Sequence, residues 1–240
     1  GRRCPSAQGV GRSQRRALTA LRQACSGLLL ASSLIYPAAV TAAETSRSAD
    51  QLWAAYAARW DSASSYKAVF KQHIEISGIG GDVSSGGIFY FEKPDKMRWD
   101  YLEGDKQQVV GDGRWIWVYQ PDLEQVYKIS YTQAFGSGGL VSLLAGREGI
   151  AQRYDLKLLS DDASAVSMRL TPKSGVGETL ELLLDADTMD LRTVQITDPA
   201  GSVTSVEFND VTRNVKLEAK LFSFEPPKDT DVITTPGSSK

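Results

Sequence analysis

Between Tyr66 and Val211 the apolar residues recur chiefly at every second position, the period of a strand with one face buried. Tyr66, Ala68, Phe70, Ile74 and Ile76 alternate with Lys67, Lys71, His73 and Glu75, which predicts a long first strand. Residues 78–87 are rich in glycine and read as a hairpin tip; residues 88–92 after them are apolar on both faces. Met97, Trp99 and Tyr101 then fall on one side of a strand, with Lys96, Arg98 and Asp100 on the other. Trp115, Trp117 and Tyr119 repeat that rhythm two strands later against Arg114, Ile116 and Val118, so the two aromatic sets are expected to share one apolar surface. Further period-2 segments at 154–159, 165–171, 179–185, 191–197 and 203–211 bring the expected count to about eleven strands.

Two stretches depart from that period. Leu52, Tyr56 and Trp60 stand four residues apart behind Ser48, the pattern of a capped amphipathic helix. Residues 134–149 interleave Leu140, Val141, Leu143 and Leu144 with glycines at 136, 138, 139 and 146, which predicts a short apolar helix on hinges: a core bridge or a movable lid. The strands are linked by turn sequences such as Lys93-Pro94-Asp95, Glu103-Gly104-Asp105 and Gly111-Asp112-Gly113. Consecutive hairpins curl into a twisted sheet. The expected fold is therefore mainly β: a twisted sheet or partial barrel of about eleven antiparallel strands.

The first 43 residues differ from the rest. They hold six arginines and no acid, then an apolar run from about Ala24 to Val40 and small residues up to Ala43, the order of a cleaved secretory signal peptide. A membrane anchor is the alternative, but Ser26, Gly27, Ser32, Ser33 and Pro37 interrupt the run. Both cysteines, Cys4 and Cys25, fall in this region, and Cys25 precedes the apolar run instead of following it, the wrong order for lipid attachment. The expected organisation is residues 1–43 as a removed leader and 44–240 as a single domain. Without the six arginines, 21 basic residues face 29 acidic ones, so the domain carries −8 and generic nucleic-acid binding is excluded.

Catalytic and metal constellations fail on inspection. His73, the one histidine, lies on a polar strand face and no Gly-x-Ser-x-Gly elbow accompanies it. Asp185, Asp187 and Asp190 open like a calcium loop, but Asp190 occupies the glycine position and Ile196 the position of the closing glutamate. Ser64-x-x-Lys67 lacks the companion motifs of a penicillin-binding site. An excess of large apolar side chains remains, which fits either a packed core or a ligand cavity.

Residues 94–101, Gly111-Asp112-Gly113, the run from Trp117 to Val126, and Phe222-Ser223-Phe224-Glu225-Pro226-Pro227 followed by Asp231-Val232-Ile233 together resemble the outer-membrane lipoprotein carrier family, LolA, over residues 48–235. The resemblance implies an open, incomplete antiparallel β-barrel with a few covering helices, and a periplasmic, monomeric chaperone that needs no catalytic, metal or cofactor site. It would take lipoproteins from an inner-membrane ABC release complex and deliver them to an outer-membrane acceptor, LolB where one exists. The resemblance also implies a lipid cavity, expected at Phe89, Phe91, Met97, Trp99, Tyr101, Trp115, Trp117 and Tyr119, with Lys93 as a rim cation where many carriers have arginine; the apolar helix between its glycine hinges is expected as the lid, at Leu140, Val141, Leu143 and Leu144. If Trp99 lines a cavity, Trp99→Glu should weaken acyl binding and leave the fold intact. A secreted small-lipid binder and a lipid-sensing regulatory module of similar fold are the rivals; such regulators usually carry a second C-terminal domain. An enzyme ranks third.

Overall fold

The computed structural model describes residues 47–78, 80–136, 143 and 150–234. The expected leader, and Leu140, Val141 and Leu144 of the expected lid, lie outside them.

Twelve strands form one sheet: β1 Ser65–Ile76, β2 Gly81–Glu92, β3 Lys96–Glu103, β4 Gln108–Asp112, β5 Trp115–Gln120, β6 Gln125–Ser130, β7 Tyr154–Asp161, β8 Ala165–Pro172, β9 Thr179–Asp185, β10 Leu191–Thr197, β11 Val203–Arg213 and β12 Asp231–Thr234. Their spatial order is β12-β6-β5-β4-β3-β2-β1-β11-β10-β9-β8-β7, so β7 and β12 are edges and the sheet is open. Two antiparallel meanders, β1 to β6 and β7 to β11, are joined where β1 pairs with β11. The strand beyond the expected eleven is β12, which runs parallel to β6. Its sequence is too short and too exposed to carry an alternation signal.

The ladder assigns every side chain to a face. Phe70, Phe89, Trp99, Val109 and Val118 stand on one face across β1 to β5; Phe208, Val206, Val194, Leu182 and Met168 continue it across β11 to β8. This inner face carries most of the buried core.

Helix α1, Ala49–Asp61, covers it. Ser48 caps the helix reciprocally with Gln51: its Oγ accepts from the Gln51 N–H at 3.2 Å, and Gln51 Oε1 accepts from the Ser48 N–H at 2.8 Å. The apolar side of α1 buries Leu52, Trp53, Tyr56 and Trp60. Two short helical turns, α2 Tyr131–Gly136 and α3 Ile150–Arg153, flank the connection between the meanders.

Residues 81–87, expected as hairpin tip, belong to β2. Glycine is there for a close approach. Gly87 lies at a bulge where β2 passes β3, and a Cβ on it would sit 1.8 Å from the Asp100 carbonyl oxygen and 3.1 Å from the Phe70 ring. No side-chain rearrangement relieves a clash with a ladder carbonyl, whereas a Cβ on Gly81 meets nothing within 4 Å. Gly87→Ala should therefore cost at least about 3 kcal/mol, a fall of roughly 6–12 °C in Tm for a domain of this size, with Gly81→Ala near neutral. Thermal unfolding followed by circular dichroism checks both; equal melting of the two variants would contradict the close crossing.

Candidate functional site: the inner face and its two ends

The inner face begins dry. Trp99 meets the Phe70 ring edge-on with centroids 4.8 Å apart, and Phe89 and Phe208 at 4.5 and 5.9 Å. Phe91 and Met97 complete this layer and are buried. At the start of β1 the cover joins it: Trp60 of α1 stacks on Tyr66 at 4.1 Å and tilts against Phe91 at 5.4 Å. The space left between Trp60, Tyr66, Phe89 and Phe208 is about 30 Å³, room for a water or two and far too little for an acyl chain.

Polar contacts fasten the cover at its ends. Arg47, just before α1, donates through Nε to Asp161 Oδ2 at 3.0 Å, at the end of β7. Arg59 donates through Nε to Asp190 Oδ1 at 3.0 Å, and Arg213 of β11 pairs with the same carboxylate. Lys93 Nζ donates to the Trp60 carbonyl at 3.1 Å and to Asp61 Oδ1 at 3.3 Å, where the helix dipole favours a cation. The expected rim cation thus grips the C-terminus of α1. Asp190, the failed calcium ligand, is an anchor instead; 131 residues separate it from Arg59, and no local pattern announces the pair.

The other end of β1 is open. Beyond Phe70, Gln72 and Ile74 stand opposite Ser85 and Val83 on the inner face. Together with the turns at 105–107 and 120–123 they border a mouth of about 370 Å³. Tyr101 marks its boundary with the dry layer: its hydroxyl donates to Gln72 Oε1 at 2.9 Å. Burial pushes the Tyr101 phenol up to about 12, partly offset by the Gln107 side chain beside it.

The expected cavity set is divided by the sheet. Phe89, Phe91, Met97, Trp99 and Tyr101 stand on the inner face, but Trp115, Trp117 and Tyr119 stand on the outer one. The register decides this, since Trp99 pairs through Val109 with Val118, whereas Arg98 pairs through Val110 with Trp117 and Lys128. The outer aromatics have their own occupation. Lys128 Nζ lies 4.2 and 4.7 Å from the Trp115 and Trp117 rings, and Trp117 Nε1 donates to Asp112 at 3.0 Å. Phe224 packs on Trp117 and Tyr119 at 5.7 and 5.9 Å, and Arg98 Nη1 donates to the Leu221 carbonyl at 3.0 Å. These contacts seat the C-terminal segment that leads into β12. Of the expected lid, Leu143 is described and is fully buried in the core.

His73 is on the outer face, with Nδ1 3.1 Å from Ser84 Oγ. Asp185 caps its own turn by accepting from the N–H groups of Asp187 and Thr188, which, with Arg192 beside it, holds its carboxyl down at about 2. Among the described residues no cluster of three or more His, Cys, Asp or Glu is arranged to hold a metal ion.

The sequence has recognisable relatives. The family model described as outer membrane lipoprotein carrier protein LolA matches residues 61–225. The chain is 33% identical over 174 residues to the outer-membrane lipoprotein carrier protein of Methylococcus capsulatus, covering 72% of this chain and 83% of that one. It is 37% identical over 153 residues to the protein of the same name from Nitrosospira multiformis, covering 63% and 73%. A solved LolA superfamily protein from Nitrosomonas europaea, NE2245, aligns with TM-score 0.42 at 12% identity over 75% of this chain and 99% of that one.

The packing changes the outcome expected for Trp99. The side chain is 5% exposed and ringed by aromatics, so a carboxylate there has neither water nor a partner. Trp99→Glu should lose about 4 kcal/mol or more and unfold well below the wild type, with Trp117→Ala, on the half-buried outer face, losing under about half as much. Urea denaturation distinguishes them; a Trp99→Glu protein as stable as wild type would mean that this face is not packed.

Proposed function

The chain belongs to the outer-membrane lipoprotein carrier protein family, LolA, and from that premise we propose that it carries lipoprotein acyl chains on the inner face of its open sheet, where they replace α1. The observation that carries the proposal is the cover itself: α1 lays four apolar side chains on an apolar face, and Arg59 and Lys93 make polar contacts at its C-terminal end. Acyl chains are nearly insoluble in water, and each methylene transferred to an apolar surface gains about 0.8 kcal/mol. Lifting the four buried side chains of α1 costs roughly 1.5–3 kcal/mol each, on the order of 10 kcal/mol together. About a dozen buried methylenes offset that, so an exchange of helix for lipid lies close to balance, as a carrier that must also release requires. Lys93 and the Arg59, Asp190, Arg213 cluster set how readily the cover lifts.

Around this core we place the finer reading. Residues 1–43 are a leader removed before the domain works in the periplasm as a monomer. Cargo arrives from an inner-membrane ABC release complex and leaves to an outer-membrane acceptor, LolB where present. Carriage makes and breaks no bond, so no cofactor enters it.

Hydrogen exchange tests the replacement of cover by cargo. On addition of a triacylated cysteine peptide, amides between Leu52 and Trp60 should exchange faster, while those of β1 and β2 stay protected. Asp190→Asn leaves Arg59 and Arg213 without their counter-charge and should raise α1 exchange in the free protein by about tenfold, with faster uptake. Lipid bound with α1 as protected as before would defeat the proposal.

A further inference from the structure

Carriage of acyl chains leaves open how the site tells a lipoprotein from a membrane phospholipid, since both offer such chains. The open mouth carries an answer. Its polar lining is amide-rich: Gln72, Gln107 and Gln120 border it. Gln72 spends its amide oxygen on the Tyr101 hydroxyl, which leaves its N–H groups as donors. Asp105, Asp122 and Lys106 complete the charged lining, two acids against one base. All three are exposed, beside a floor supplied by Ile74 and Val83 with Leu123 at the edge.

We propose that this mouth is a selectivity site for the uncharged, ester- and amide-linked head of an acylated cysteine, and that it disfavours the anionic phosphate of a phospholipid. The inference rests on the carrier reading and deepens it. Acyl chains laid along the dry end of the inner face bring their shared head toward Gln72, because the inner face runs without interruption from Phe70 to Ile74. The length is sufficient, since a strand spans roughly 27 Å from Tyr66 to Ile74. At the mouth, ester and amide carbonyls accept hydrogen bonds from neutral glutamine amides. A phosphate finds one lysine and two carboxylates there, a net repulsive setting in which like-charge contact costs affinity. Arginine, the side chain suited to a bidentate grip on phosphate, is missing from the mouth's described lining.

The test uses the domain loaded from mixed micelles that hold equal amounts of phosphatidylglycerol and a synthetic triacylated cysteine peptide with an uncharged serine-glycine tail. The bound lipids are extracted and quantified. Wild type should retain the lipopeptide in clear excess. Asp105→Lys combined with Asp122→Lys should move the ratio toward phosphatidylglycerol by about tenfold at low salt, and by less at high salt. Both positions are exposed, so the melting temperature of the double variant should match wild type. Gln72→Leu combined with Gln120→Leu should lower lipopeptide retention and leave phosphatidylglycerol retention unchanged. An identical lipid ratio in wild type and the lysine variant would overturn the selectivity site. A wild type that retains neither lipid would instead overturn the carrier reading beneath it.

Discussion

A sheet that does not close has to be covered. With β7 and β12 left as edges, the inner face cannot be sealed by strand pairing, yet it is apolar from Leu170 on β8 to Ile116 on β5. Exposed, such a face would be an aggregation surface. Among the described residues helix α1 contributes four large side chains to the second layer, and its cap and the polar contacts near its ends hold it there.

The division of forces matters for function. The polar fasteners are partly exposed and individually worth little, so most of the adhesion of α1 comes from Leu52, Trp53, Tyr56 and Trp60. Adhesion of that kind is chemically unspecific. Any apolar body of similar area satisfies the sheet equally well, and acyl chains are such bodies. In the proposed exchange of helix for lipid, the fasteners bring the helix back to one position. The outer face is built for permanence, with Trp117, Tyr119 and Phe224 holding the C-terminal segment beside β3 to β6.

Strand period and turn chemistry made the mainly β architecture legible, the family resemblance its openness, and the helix from Ser48 to Trp60 was plain from its cap and its spacing. Which side of the sheet an aromatic set occupies was not. Alternation says that Trp115, Trp117 and Tyr119 share a side; only the pairing of Trp99 with Val109 and of Val109 with Val118 says that it is the side away from Trp99. The glycines at 86 and 87 looked like loop because a close crossing and a turn select the same residue. Lys93 stood out through its proline neighbour, but its grip on α1 joins segments 32 residues apart, and the anchor Asp190 joins more distant ones still. Contacts of that reach leave no periodic trace.

The central claim is that cargo lies on the inner face and nowhere else on the sheet. Photo-crosslinking tests it most directly, with p-benzoyl-phenylalanine placed at Phe89 on the inner face and, separately, at Trp117 on the outer one, and each protein irradiated with a triacylated cysteine peptide. Cargo held on the inner face predicts an adduct to the acyl chains from position 89 and none from position 117. Equal labelling at both, or labelling at 117 alone, would contradict it.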